Sequence, residues 1–387
     1  MKVLILVRKL DTGGAERQTA QLARALAAKG ASVVVVTFYP EGPFYRDLLE
    51  RGVRLVSLDK RGRWELVRFL WRLNRTIARE NPDLIYSILD VPNVLGALFR
   101  FVRPRTVLVW SLLISDMPAR SLGRLATVFR VLELWLSGVP DVIISNSFSG
   151  RADAVRRGFP AARTIVMQNG IDTDFFYIDH AAGGDLRAGW GIADDERLIG
   201  VVARVDPMKG HDVFLEAASR ILRMDPAVRF VVVGEGDPEY MRVLRRLADR
   251  LGLAPAIIWA GAHEDMRPVY NALDVMCMPS IYGEGMPNSV GEAMACGVPC
   301  IVTDVGDASA MVGELGTVVA AGDAEALADS CRAISVLPGD ERASLGVALR
   351  ERVIEDMGFE RVNRRAQEVI ELCRNKGNGP VGGAGNA

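Results

Sequence analysis

Short runs of aliphatic and β-branched residues recur along this chain, separated by longer stretches in which apolar positions follow a helical spacing. The runs "VLILV" (3–7), "SVVVVTF" (32–38), "DLIYSI" (83–88), "TVLVW" (106–110) and "DVIIS" (141–145) predict buried strands. The same rhythm resumes with "RLIGVVA" (197–203), "RFVVVG" (229–234), "AIIWAG" (256–261), "VMCMP" (275–279) and "CIVTD" (300–304). Between strands, segments such as 14–30 place Leu22, Ala25 and Leu26 on one face and stop at Gly30, which predicts an amphipathic helix. Strands that are apolar at every position belong to parallel sheets covered by helices on both faces. The expected fold is therefore α/β, with two Rossmann-like doubly wound domains in tandem whose strand ends face a central cleft.

The rhythm breaks at 170–195, where "NGIDTDFFYIDHAAGGDLRAGWGIADDE" carries turn residues and mixed charge with no sustained period. That seam divides an expected first domain, 1–175, from a second, 176–357. The segment "GFERVNRRAQEVIELCRNK" (358–376) predicts a helix, and the glycine-rich 377–387 predicts a disordered tail.

Composition narrows the class. A chain of 387 residues exceeds the size one hydrophobic core usually serves, and 49% hydrophobic with 25% charged residues is ordinary for a globular protein. The net charge of −1 conceals a split: residues 1–170 hold 26 Lys+Arg against 14 Asp+Glu, and the remainder 21 against 34. The basic half suits an anionic partner, a phosphate-bearing substrate or a membrane surface; attraction between the halves is the plainer reading. All five cysteines (Cys277, Cys296, Cys300, Cys331, Cys373) lie in the second half without CxxC spacing, as buried thiols of a reducing compartment do. Neither a signal peptide nor an apolar run of spanning length is apparent, so a cytoplasmic protein is expected.

Ligands of open α/β sheets bind beyond the carboxyl ends of the strands, so the loops there are where chemistry is expected. After the first strand, Gly13 and Gly14 open a helix whose free N–H groups could receive an anionic or hydroxyl-rich ligand; an ordinary strand-to-helix turn explains them as well. After the strand at 197–203, Arg204 and Lys209 form a cationic pair suited to a diphosphate. His211 beside them reads as a capping or packing residue. Gly234 and Gly236 fall short of a dinucleotide fingerprint because Glu239 stands where the third glycine belongs. Asp172 and Asp174 read as turn residues rather than metal ligands, and no metal site is expected.

The loop "IYGEGMPNS" and the helix after it carry Glu284 and Glu292, with seven residues between them. Gly285 permits close approach and Pro287 precedes the helix, so the N–H groups of Asn288, Ser289 and Val290 are expected to form an anion site facing Arg204 and Lys209. One carboxylate on each side of such an anion can accept hydrogen bonds from vicinal hydroxyls, a sugar at Glu284 and a ribose at Glu292.

In this order, "TGGAER", "NGID", Arg204-x4-Lys209-Gly210, "GEG" (234–236) and the Glu284/Glu292 pair with "EAMACGVP" resemble the retaining glycosyltransferases of family 4 from residue 1 to about 375. The resemblance implies a GT-B fold with a C-terminal helix (358–376) crossing back to the first domain, which handles the acceptor. It implies metal-independent transfer of a hexosyl or N-acetylhexosaminyl group from a nucleotide-diphosphate sugar to a hydroxyl of a glycan or lipid-linked acceptor, in polysaccharide or glycolipid synthesis. Arg204 and Lys209 would hold the diphosphate, Glu284 the sugar and Glu292 the ribose. Gly285, Met286 and Asn288 would offer backbone contacts, and Gly14 would close on the donor. No further cofactor and no nucleic acid is implied. Many relatives carry a histidine after the strand matching 106–110; here Ser111, Ser115 and Asp116 are the polar residues nearby. A GT-B nucleotide-sugar epimerase and a non-catalytic sugar-nucleotide-binding partner are the alternative readings.

The acceptor side offers one more pattern. Arg61, Arg63, Arg68, Arg72, Arg75 and Arg79 with Trp64, Phe69, Leu70 and Trp71 predict a basic, aromatic helix. It suits peripheral contact with an anionic membrane at its inner face, and equally a solvated helix with its arginines outward.

Overall fold

The computed structural model describes residues 1–376 apart from 12, 41, 63, 64 and 114–123, so the expected tail at 377–387 lies outside the described residues. Two compact units emerge. One comprises the chain up to Asn169 together with the segment from Glu360 onward, and the other Gly170–Phe359.

In the first unit, β1 (Lys2–Val7), β2 (Ser32–Thr37), β3 (Arg54–Ser57), β4 (Leu84–Ile88), β5 (Val107–Leu112), β6 (Val142–Ser145) and β7 (Thr164–Val166) form a parallel sheet in the order β3-β2-β1-β4-β5-β6-β7. The helices are α1 (Gly14–Ala28), α2 (Pro43–Glu50), α3 (Leu66–Glu80), α4 (Asp90–Val102), α5 (Arg124–Trp135) and α6 (Phe148–Arg156). One core joins Leu4, Leu6, Val34 and Ile85 of the sheet to Phe69, Leu73 and Ile77 of α3 and to Leu95 and Phe99 of α4. The continuous apolar runs are the central strands, buried on both faces. The sequence reading misses β3 and β7: both are short edge strands, only partly buried, and neither leaves a sustained apolar run.

The second unit repeats the plan. Its helices are α7 (His180–Gly189), α8 (His211–Met224), α9 (Pro238–Arg250), α10 (Arg267–Ala272), α11 (Asn288–Ala295), α12 (Ala308–Val312), α13 (Ala324–Ser335) and α14 (Gly339–Met357). Its strands are β8 (Arg197–Val202), β9 (Val228–Val233), β10 (Ile257–Gly261), β11 (Val275–Met278), β12 (Cys300–Thr303) and β13 (Thr317–Val319), in the parallel order β10-β9-β8-β11-β12-β13. Helix α7 forms inside the stretch that shows no period, because Asp179 caps it by accepting from the Ala182 N–H at 3.1 Å. Gly183 lets it lie against α10, where a Cβ would stand 2.3 Å from the Asn271 carbonyl oxygen. Four of the five cysteines are buried and Cys373 is half-buried.

Helix α15 (Glu360–Lys376) belongs to the first unit and packs on α1. Its Arg365 is buried, donating to Tyr86 Oη at 2.5 Å and to Asn169 Oδ1 at 3.2 Å. No described helix is long and apolar enough to cross a membrane.

Candidate functional site

The second sheet reverses its strand order between β8 and β11, the place where doubly wound sheets open a crevice for ligands. The loops leaving these two strands hold most of the residues singled out from the sequence. They are tied together: the Ile281 N–H donates to the Met208 carbonyl at 2.8 Å. Gly210 has φ +63°, and a Cβ there would stand 2.0 Å from the Pro279 carbonyl oxygen, so only glycine allows this approach. From the other side, Thr303 Oγ1 donates to the Ser280 carbonyl at 2.6 Å, and the Asp307 N–H to the Gly285 carbonyl at 2.9 Å.

Within this frame Lys209 Nζ donates to Glu284 Oε1 at 2.5 Å, across 75 residues of sequence. Ser280 Oγ donates to the same oxygen at 2.5 Å. Glu284 is buried and Lys209 largely so. Both partners use Oε1, which leaves Oε2 as the acceptor for an incoming hydroxyl. Ser280 is a site residue that sequence reading missed, since a lone serine four residues before a glutamate carries no signal of its own.

Arg204 departs from the expected pairing with Lys209. It is mostly exposed, lies 3.6 Å from Asp206 Oδ2 and reaches Met208 Sδ at 3.9 Å. Its guanidinium faces solvent, where an anionic ligand can recruit it. Gly234 and Gly236 serve this loop as well. A Cβ at either would stand 2.0 Å and 1.9 Å from the carbonyl oxygens of Ala203 and Val205, and Val205 bridges to Gly236 in parallel register. Their function is close backbone approach. The His211 ring is fully buried. Burial first, then the Lys209 charge, holds its imidazole down to about 4 against the opposing pull of Asp206, so it packs as a neutral ring.

At the start of α11, Asn288 and Ser289 are half-buried, while Met286 and Val290 are buried. The Val290 N–H donates to the Pro287 carbonyl at 3.1 Å, so this expected donor is engaged within the first turn. One turn further on, Glu292 is buried and accepts from Tyr270 Oη at 2.8 Å. Tyr270, itself stacked edge-on against Phe176, orients that carboxylate; nothing in the local sequence of α10 advertises it. Arg350 closes the other end of α11 by donating to the Ala295 carbonyl at 2.7 Å. Asp172 Oδ1 accepts from the Phe175 N–H at 3.0 Å in a turn. Among the described residues no group of three or more His, Cys, Asp or Glu is arranged to hold a metal ion.

In the first unit, Gly13 stands at the N-terminus of α1, and a Cβ there would lie 2.1 Å from Glu16 Oε2. The helix start thus already has a carboxylate folded over it, which suits a hydroxyl-bearing ligand at Gly13 and Gly14 better than an anion. The loops following β1, β2 and β3 enclose a cavity of about 620 Å³ lined by Lys9, Asp11, Tyr39, Asp59, Lys60 and Arg61 among others. Of the α3 pattern, Arg63 and Trp64 lie outside the described residues, as do Ser115 and Asp116. Phe69 is buried against Phe38, Arg72 is anchored to the Leu58 and Asp59 carbonyls, and Arg75 stacks over the exposed Trp71 at 5.2 Å. Ser111 is fully buried, with its carbonyl accepting from the Leu89 N–H.

Comparison with known proteins matches residues 12–175 to the family "Glycosyltransferase Family 4" and residues 196–335 to "Glycosyl transferases group 1". The chain is 26% identical over 311 residues to the putative glycosyltransferase EpsF of Bacillus subtilis, covering 78% of this chain and 79% of that protein. It is 30% identical over 223 residues to the GDP-mannose-dependent alpha-(1-6)-phosphatidylinositol monomannoside mannosyltransferase of Mycolicibacterium smegmatis, covering 54% of this chain and 57% of that one. Among solved structures, Anabaena Alr3699/HepE in complex with UDP and glucose superposes with a TM-score of 0.84 at 22% identity, over 96% of this chain and 99% of that one.

Proposed function

Because the chain belongs to glycosyltransferase family 4 and has the GT-B fold, we propose that it moves a sugar from a nucleotide-diphosphate sugar to a hydroxyl acceptor, with retention and without a metal. The observation that carries this reading is the Lys209–Glu284 pair at the β8/β11 crevice, with Ser280 on the same carboxylate oxygen. A sugar hydroxyl donating to Glu284 Oε2 would bring the adjoining diphosphate to Lys209. There the ammonium would stabilise the charge that develops on the leaving group, the term that usually dominates such catalysis. Arg204 would swing from Asp206 to the same diphosphate, with the start of α11 contributing the N–H groups of Asn288 and Ser289. Glu292, held by Tyr270, would accept from the nucleotide ribose.

The solved relative bound to UDP and glucose, and the mannosyltransferase that uses GDP-mannose, support a nucleotide-sugar donor and leave both bases open. The acceptor is read as a glycan or lipid-linked hydroxyl, received by the cavity at the β1, β2 and β3 ends and met at the inner face of a membrane. The basic first half would make the membrane contact there, and the pathway would be polysaccharide or glycolipid synthesis.

Calorimetric titration of the protein with UDP, GDP and ADP, in chelator, tests the donor site. One nucleotide should bind, and both Lys209→Ala and Glu292→Ala should weaken it. Should none bind with or without magnesium, the donor site as drawn is wrong. Product analysis of the anomeric configuration decides retention.

A further inference from the structure

Helix α5 is built inside out. Its one glutamate, Glu133, is buried among Asn93 and neighbouring side chains, whereas Leu125, Val128, Leu132 and Trp135 are exposed on a single stripe, Trp135 at 82%. The spacing i, i+3, i+7, i+10 sets these four on one face over about 15 Å. Helix α4, packed beside α5, exposes Leu98, Phe101 and Val102 in the same manner. Since β4, β5 and β6 run parallel and each helix returns the chain to the next strand's start, α4 and α5 end at the same sheet edge. Phe101, Val102 and Trp135 therefore lie at one edge, and the stripe runs from there toward the strands' carboxyl ends.

The charges around this face are mostly basic. Arg103 and Arg105 follow α4 directly, and Arg163 donates to the Gly138 and Pro140 carbonyls just past the end of α5. Of the carboxylates at that edge, Asp141 pairs with Arg100 and Glu80 with Lys2 and Arg54, while Asp83, which accepts from the Lys2 backbone N–H at 2.7 Å, keeps its charge and is outnumbered by the arginines. A face with an apolar centre, aromatic side chains at one edge and arginines beside them matches the headgroup boundary of an anionic bilayer. It matches a second copy of itself poorly, since two such faces would bring like charges together.

We propose that the exposed α4–α5 face, laid flat along its stripe from Trp135 to Leu125 with Phe101 and Val102 beside it, is the surface by which this protein seats on an anionic lipid bilayer. This deepens the membrane-contact part of the reading above by naming the face, and it is independent of the sugar chemistry.

Flotation of the full chain with vesicles of phosphatidylcholine and phosphatidylglycerol, against phosphatidylcholine alone, tests it. The protein should float with the mixed vesicles, less so as salt rises, and Phe101→Ser/Trp135→Ser should cut partitioning about tenfold or more. Unchanged circular dichroism and thermal unfolding of that variant would show that its fold is intact. If Arg68→Gln/Arg75→Gln on α3 abolishes flotation and the α4–α5 variant does not, the assignment to α4–α5 is overturned and the membrane contact stands. If the wild type floats with neither vesicle, both fail. If it instead sediments as a dimer that Trp135→Ser dissociates, a second copy covers the face and the lipid assignment fails.

Discussion

Lys209 and Glu284 meet at 2.5 Å although 75 residues separate them, and the contact joins the loops of two neighbouring strands, β8 and β11. The pair is largely buried, so each partner offsets the desolvation of the other. Removing the lysine alone strands a carboxylate that Ser280 by itself cannot neutralise. Lys209→Ala is expected to destabilise the second unit by about 3 kcal/mol. Lys209→Met/Glu284→Gln should recover most of that loss, because a neutral amide still accepts from Ser280. Thermal unfolding checks the order, and a double variant less stable than Lys209→Ala would refute the pairing as the cause.

Activity should not follow stability in that series. Each of Lys209→Ala, Glu284→Gln and the double variant is expected to lower kcat/KM by about 10²–10³-fold, as losing one group aimed at developing charge does. Steady-state assays with the nucleotide sugar chosen by titration would measure it. A double variant that is both stable and active would remove the pair from the chemistry.

Tyr270 donates to Glu292, the residue read as the ribose acceptor, so its effect should fall on binding. Tyr270→Phe removes the 2.8 Å hydrogen bond to a buried carboxylate and is expected to raise the nucleotide Kd about tenfold, with kcat nearly unchanged. An equal fall in kcat at constant Kd would place Glu292 somewhere other than the ribose.

Two glycines of the second unit separate backbone strain from close approach. Gly210 (φ +63°) faces the Pro279 carbonyl oxygen, whereas Gly252 (φ +76°) has nothing within 4 Å of a built Cβ. Gly252→Ala should cost about 1 kcal/mol of strain alone. Gly210→Ala adds the clash and displaces the loop that carries Lys209, so it should lower the unfolding temperature further and weaken nucleotide binding. Equal effects from the two would show that the loops at 203–210 and 279–287 do not depend on that contact.

Glu133 gives the first unit a pH dependence of unusual sign. Burial above all, with help from the Asp90 charge, pushes its carboxyl from 4.5 up to about 7 against the pull of Asn93, Arg157 and Arg130. The folded chain then keeps a proton that the unfolded chain releases. Stability from this group is greatest below pH 4.5, falls as pH rises from 4.5 to about 7, and is level beyond, a loss of roughly 3 kcal/mol. Glu133→Gln should flatten that window and leave the first unit more stable than wild type above about pH 7. His211 runs the other way in the second unit: its low folded value means stability is lost as pH falls from 6.5 toward 4. Unfolding followed separately in each unit against pH would show opposite slopes, and matching slopes would contradict both assignments.

Much of the fold is legible in the chain because buried parallel strands and amphipathic helices each leave a local period. Central strands such as Val3–Val7 and Leu198–Val202 are continuous apolar runs because helices cover both faces. Edge strands β3, β7 and β13 lose that mark, and α7 hides its helical character behind three glycines and a cap that only its geometry reveals. Arg204, Lys209, Glu284 and Glu292 could be nominated because strand ends and helix starts are themselves readable. Ser280 and Tyr270, which hold the two carboxylates, could not.

By itself, then, the sequence determined two doubly wound halves, the loops that could carry chemistry and, through the order of its motifs, the family. Tertiary structure alone decided that Lys209 faces Glu284 while Arg204 turns to Asp206, that Ser280 and Tyr270 hold the two carboxylates, and that α5 hides Glu133 and shows Trp135. The physical reason is range. A period of two or 3.6 residues is set by neighbours along the chain. Which side chain meets a carboxylate 22 or 75 residues away, and which face of a helix the sheet covers, is set by packing that no local window contains.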